Sequence, residues 1–326
     1  MSVKQLQSRI RGAWYGVFVG DALGTTLEFQ PKPDAQPSLM TAHAEIVGGG
    51  PFRLEPGDWT DDGAMTLCLA KALAEDTPPE MDAGRQLENY VRWWHEGFCS
   101  SNGRCFDIGN QTSAALRHFE TSGGSEAPLD EHGQGNGSLM RAVPVPIWLG
   151  LRSDTEQEAA GQTDEQFQER AKLYTRASQT THNSPVCTMA SVLYSVLVFQ
   201  ALHGATKEKI LILAKGMAEE MARKEKAFSI VVRAIEGGLT WEEIEPTGWA
   251  IHSLAVTFWG LNQYSSFENG MIAVVNLCGD ADTNGAIYGG LAGAIYGFEQ
   301  NPGRWVGALK NPDMLEKTLT GLVRGA

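Results

Sequence analysis

Apolar side chains recur at i, i+3 and i+4 through residues 6–18, 64–74, 87–95, 186–202, 210–221, 249–263 and 270–278. That spacing places them along one face of a 3.6-residue helix, and no convincing period-2 alternation competes with it. The sequence therefore predicts an all-α protein. Breaks come from loops rich in Gly, Pro and acid, notably residues 30–57, 121–137 and 151–162. The apolar run at 186–202 is interrupted by Thr188, Ser191, Ser195 and Gln200 and is shorter than the ~20 residues that span a bilayer, so it is expected to be a buried helix with no membrane insertion.

At about 150 residues per domain, 326 residues would allow two. The 121–137 loop, however, ends in Gly135, Asn136, Gly137 and Ser138, which reads as a site more than as a linker. One domain over residues 1–326 is expected. The 37 glycines exceed the usual ~7% and they are patterned. Gly12, Gly16, Gly20 and Gly24 repeat every fourth residue, and so do Gly285, Gly289, Gly293 and Gly297. On a helix each such set is a smooth stripe costing ~1 kcal/mol of propensity per glycine, an expense that close backbone packing can offset. Two arrangements meet that need: the stripes cross one another, or each packs separately against other helices.

Composition narrows the chemistry. Hydrophobic residues make up 42% and charged residues 20%, within the globular range. Thirty-nine acids against 26 bases give a net charge of -13, which repels a nucleic-acid backbone, so no nucleic-acid partner is expected. Five scattered cysteines without a C-x-x-C pair point to reduced thiols rather than a disulfide framework or a thiolate zinc site. With no secretory pattern at residues 1–11, a cytoplasmic location is expected.

Two acidic corners run into helical patterns: Asp58, Thr60, Asp61 and Asp62 before the segment at 64–74, and Asp280, Asp282 and Thr283 before the second glycine stripe. Taken singly, each corner reads as helix capping, with Thr60 and Asp282 as N-caps. Two corners together offer more carboxylates than caps can use. Hard cations such as Mg²⁺ or Mn²⁺ take about six oxygen ligands, which the corners can supply jointly if the fold brings them together. Without a cation the carboxylates would repel one another.

Read in order, the chain carries Gly16 to Gly24 followed by Glu28, then Thr60-Asp61-Asp62, Phe106-Asp107-Ile108-Gly109-Asn110, Gly135 to Arg141, Thr181-His182, and Asp280 to Thr283. This order of motifs resembles the ADP-ribosylglycohydrolases, over nearly the whole chain. The resemblance implies an all-α fold with a binuclear cleft that holds two Mg²⁺ or Mn²⁺ ions and binds ADP-ribose. Thr60, Asp61, Asp62, Asp280, Asp282 and Thr283 match the family's metal positions. Glu28 and Asp107 are the implied catalytic acids. Asp107, between Phe106 and Ile108, lies in an apolar setting able to raise a carboxyl pKa, although by itself it also reads as an N-cap for the helix at 112–119.

Substrate contacts are implied for Gly109, Asn110, Gln111, Thr112, Asn136, Gly137, Ser138 and His182, the glycine-rich run being suited to cradle a diphosphate. The Asp107-Ile108-Gly109 element is similar to that of the arginine-directed branch. The implied reaction is hydrolysis of the N-glycosidic bond between ADP-ribose and arginine on an ADP-ribosylated protein, releasing ADP-ribose. Two alternatives remain open: hydrolysis of ADP-ribosyl-serine or O-acetyl-ADP-ribose, and a non-catalytic member on the same fold. A cognate ADP-ribosyltransferase is an implied partner, with immunity to an ADP-ribosylating toxin one role. Because the family core begins near Gly12 without a long preceding arm, reversal of the modification is the mode expected in that role.

Overall fold

The computed structural model describes residues 1–150 and 164–324. The expected loop at 151–162 lies outside the described residues. Among those residues there is no strand, only isolated bridges such as Gly135 with Trp249. The helices are α1 (Val3–Gly24), α2 (Asp61–Leu73), α3 (Ala83–Glu96), α4 (Asn110–Ser122), α5 (Pro144–Gly150), α6 (Asp164–Gln179), α7 (Pro185–Leu202), α8 (Lys207–Lys224), α9 (Ser229–Ile235), α10 (Ala250–Gln263), α11 (Phe267–Val275), α12 (Ala281–Tyr296), α13 (Gly303–Ala308) and α14 (Pro312–Arg324).

Every segment with helical periodicity forms a helix. The pattern missed short or polar ones: α5, α6, α9, α13 and α14. α14 packs a stripe of Leu315, Thr318, Leu319 and Leu322, an i, i+3, i+4, i+7 face. α1 starts at a capping box in which the Ser2 hydroxyl accepts the Gln5 amide and the Gln5 side chain accepts the Ser2 amide.

α1 and α12 lie antiparallel on their glycine faces. Gly12 faces Gly293, Gly16 faces Gly289 and Gly20 faces Gly285, and a Cβ built on any of these six would overlap the carbonyl of its opposite number. Main chain therefore touches main chain along three turns, closer than side-chain ridges permit. At one end Gly24 packs on Ala281 and Asp282. At the other, Gly297 takes φ +85° as the C-cap of α12 and meets Ser8 instead of a fourth glycine.

The remaining helices wrap this pair. α7 is apolar on all sides and long enough to cross a membrane by length and composition, but 72% of it is buried in the protein, against α5, α6, α8 and α12. Trp14, Trp59, Trp93, Trp148 and Trp305 are fully buried in the continuous apolar core. The antiparallel glycine contact has one consequence for function. It brings the C-terminal end of α1 and the N-terminal end of α12 to the same place, where α2 also begins.

Candidate metal centre and cleft

Asp21 sits in the last turn of α1, fully buried in an otherwise apolar run. Its carboxylate accepts the amides of Thr60, at 2.9 and 3.0 Å, and Gly63, at 2.9 Å. Glu28 follows α1 and a short 3-10 turn, Thr25–Leu27, and accepts the amides of Ala281 at 2.7 Å and Asp282 at 3.4 Å. α2 and α12 are thus capped from α1 and its extension. Thr60 occupies the N-cap position of α2 without a side-chain cap bond, and the N-cap position of α12 is Asp280, not Asp282. The capping role that the sequence suggests for Thr60 and Asp282 is taken by Asp21 and Glu28, which leaves oxygens of the two corners free.

Those corners meet across the core. Thr60 Oγ1 donates to Asp62 Oδ2 at 3.1 Å, and Thr283 Oγ1, from α12, donates to the same oxygen at 3.3 Å. Asp62 Oδ1 and Asp282 Oδ2 are buried with no hydrogen-bond partner. Glu28, Asp280 and Asp282 each present an oxygen within 4.8 Å of the others. Burial is the first cause of the raised pKa at each of these acids, and neighbouring carboxylates the second at most of them. Asp21 is pushed up to about 8 by burial and Asp282, and Asp280 to about 7 by the same two causes. Glu28, Asp61 and Asp62 stand far above the usual carboxylate range. Orphaned buried oxygens and mutual repulsion are what a hard cation would relieve, by accepting the lone pairs and inverting the local field.

Above the acids opens a cleft of about 270 Å³. Glu28, Asp61, Asp107, Asp280 and Thr283 line it, with Thr60, Asp62 and Asp282 buried beneath. Asp107 does not cap α4. Gly109 holds the N-cap position, and Asp107 stands two residues earlier in the left-handed region at φ 59°. Its carboxyl is raised to about 8, first by burial and then by Asp282, Asp280 and Asp21.

Gly109, Asn110, Gln111 and Thr112 form the cap and first turn of α4 at the cleft wall, where no side chain satisfies the leading amides. The Gly135–Gly137 segment lines the cleft next to that turn. Gln111 Oε1 accepts the Gly135 amide at 2.8 Å, and the Asn136 amide donates to Gly248 at 2.9 Å. Asn136 Nδ2 donates to Asp280 at 2.5 Å and to Ser253 at 2.9 Å. Gly137 is required by contact, since a Cβ there would stand 2.6 Å from the His182 ring. His182 lines the cleft, its pKa lowered to about 3 by burial and by Arg141.

Ser138 requires a correction. Its hydroxyl turns into the core and pairs with Ser191 at 3.1 Å, away from the cleft. The local chain direction reverses the side chain next to Gly137, which a run of residue types does not reveal. Asp21, Phe29, Met140 and Gly248 were not singled out by sequence reasoning. Asp21 had a legible signal, as the lone acid in an apolar helical run. Gly248 had none, because only the fold brings it to the cleft, beside Asp280 and bonded to Asn136.

A model of the ADP-ribosylglycohydrolase family matches residues 2–325. The chain belongs to the ADP-ribosylglycohydrolases. It is 33% identical over 309 residues to ADP-ribosylarginine hydrolase Tri1 of Pseudomonas putida (strain GB-1), covering 94% of this chain and 75% of that protein. It is 28% identical over 310 residues to the ADP-ribosyl-dinitrogen reductase glycohydrolase of Rhodospirillum rubrum, covering 95% and 92%. A solved structure, described as an ADP-ribosylglycohydrolase-related protein complex, is similar with a TM-score of 0.77 and 36% identity across 99% of each chain. Like its family, this glycohydrolase is an all-helical ADP-ribosyl hydrolase, and its acidic cluster has the donor set for a metal.

Proposed function

We propose that this glycohydrolase removes ADP-ribose from arginine side chains of modified proteins, and that two Mg²⁺ or Mn²⁺ ions serve the reaction. The observation that carries this reading is Asp107, held at the cleft by a left-handed backbone beside Asp61. A carboxylate so placed grips a planar guanidinium through two hydrogen bonds. Relatives at 33% and 31% identity named as ADP-ribosylarginine hydrolases support the same linkage.

Thr60, Asp61, Asp62, Asp280, Asp282 and Thr283 would hold the ions, with Glu28 beside them. Bound there, divalent cations would orient the ribose hydroxyls and a water and offset charge at the anomeric carbon. The residues of the chain do the rest. The leading amides of α4 and the amide of Gly137, the one in the Gly135–Gly137 segment that donates to no described group, suit the pyrophosphate. Glu28 and Asp107 both line the cleft and would hold or move a proton as the bond breaks through an oxocarbenium-like transition state. The location is proposed to be cytoplasmic, and a target modified by a toxin or by a cognate transferase would fit.

The test is release of ADP-ribose from an arginine-ADP-ribosylated protein, with Mg²⁺ or Mn²⁺ and with chelator. Metal-dependent release abolished by Asp62→Ala is expected. Release from ADP-ribosyl-serine or O-acetyl-ADP-ribose alone would reassign the linkage.

A further inference from the structure

Arg141 is a fully buried cation with no carboxylate among its hydrogen-bond partners. Its guanidinium donates to Tyr90 Oη at 2.7 Å, to the Ala177 carbonyl at 3.3 Å, to Thr180 Oγ1 at 3.3 Å and to Thr181 Oγ1 at 2.6 Å. Burying such a charge costs several kcal/mol, so a position that keeps it calls for a reason. The bond to Thr181 supplies one.

Thr181 Oγ1 lies 2.8 Å from His182 Nδ1. Arginine has donors only, so the Thr181 oxygen accepts from Arg141. The hydroxyl proton then has one described acceptor within reach, and that is His182 Nδ1. An Nδ1–H tautomer would leave the buried hydroxyl proton without a partner, a cost of about 1–3 kcal/mol. A doubly protonated ring would in addition set a second positive charge beside Arg141. The remaining ring proton therefore sits on Nε2. That atom faces the cleft next to Gly135 and Gly137, from whose built Cβ atoms it would be 3.4 and 2.9 Å away, and no group among the described residues accepts from it.

We propose that Arg141 is a positioning residue which, through the Thr181 hydroxyl, locks His182 as the Nε2–H tautomer and offers that N–H to an acceptor oxygen of the ligand between His182 and the Gly135–Gly137 backbone. The ligand class is a nucleoside diphosphate sugar, and this assignment rests on the reading of the cleft as an ADP-ribose site. A donor fixed in this way discriminates for an oxygen acceptor and against an ammonium or an N–H at the same place. No proton transfer is asked of His182.

The deciding experiment pairs long-range ¹H–¹⁵N correlation of the histidine rings in the metal-free protein, with the His182 signals assigned by their loss in His182→Gln, and ADP-ribose titration of the metal-loaded protein. The wild type is expected to show His182 with a bare Nδ1 and a protonated Nε2. Thr181→Val, which keeps the shape and loses the hydroxyl, is expected to mix the tautomers and weaken ADP-ribose binding by about tenfold, the worth of one good hydrogen bond. Thr181→Ser is expected to restore both readouts. Arg141→Met tests the cation directly, and Thr181→Val decides the matter should Arg141→Met fail to fold. An unchanged tautomer and affinity in Thr181→Val, or a protonated Nδ1 in the wild type, would overturn the relay. Absence of ADP-ribose binding to a wild type with the expected ring pattern would instead overturn the reading of the cleft.

Discussion

Glu28 and Ala281 are 253 residues apart, yet the Glu28 carboxylate accepts the Ala281 amide at 2.7 Å and so begins the helix that carries Asp282 and Thr283. One carboxyl group is both a helix cap and a wall of the cleft. Glu28→Gln keeps a side-chain oxygen for the amide and loses the charge, whereas Glu28→Ala loses both. Both variants are expected to lose hydrolytic activity. Only Glu28→Ala is expected to lose stability as well, by about 1 kcal/mol, the usual worth of a cap. Chemical denaturation alongside ADP-ribose release separates the two effects.

The same division of labour makes the acidic nest a liability without its cation. Asp282→Asn preserves the oxygen that accepts the Thr283 amide and puts a donor where Oδ2 now has no partner. In chelator, the variant is expected to melt about 1–2 °C above the wild type, corresponding to about 1 kcal/mol in a chain of 326 residues. The rise in melting temperature that Mg²⁺ or Mn²⁺ gives the wild type should disappear. Thermal melts with and without metal check both, and a variant less stable than the wild type in chelator would count against a site built for a cation.

Asp107→Asn changes charge with little change in shape, and asparagine tolerates the left-handed backbone as aspartate does. A loss of about 100-fold in kcat/KM is expected, at the low end of acid–base contributions, with no fall in melting temperature. A loss of stability equal to the loss of activity would show Asp107 to be structural.

The glycine stripes make a prediction in two directions. Gly16→Ala and Gly289→Ala each place a methyl into opposing main chain that has no room to withdraw, and a loss of about 2 kcal/mol or more is expected despite the better helix propensity. Gly216, in α8, has nothing within 4 Å of a built Cβ. There Gly216→Ala is expected to gain about 1 kcal/mol. Urea unfolding of the three variants provides the comparison.

His182 fixes a pH dependence. Its folded-state pKa is lowered to about 3, below the ordinary value near 6.5, so the unfolded chain binds more protons between those pH values. Stability contributed by this site is complete above the unfolded pKa and is lost as pH falls toward 3. The difference in unfolding free energy between wild type and His182→Gln is expected to grow from pH 4 to pH 7, with a slope no steeper than about 1.4 kcal/mol per pH unit. A difference independent of pH would show that the ring is not buried neutral.

How much of this was legible beforehand varies with the range of the interaction. Helical periodicity and the i, i+4 glycine stripes are local, so the all-α class and the smooth faces of α1 and α12 follow from spacing, while the packing of those faces on each other was decided by the tertiary structure. Residue type alone also marked the two acidic corners as holding more carboxylates than caps need. Which acids cap and which remain free was decided by the tertiary structure, because Asp21 and Glu28 reach amides tens to hundreds of residues away. The direction of Ser138 into the core, the left-handed backbone at Asp107 and the bond from Arg141 through Thr181 to His182 have the same origin. A sequence determines what each side chain can donate, accept or repel. Only packing determines which partner lies within 3 Å, and in a buried site that choice sets the charge, the tautomer and the chemistry.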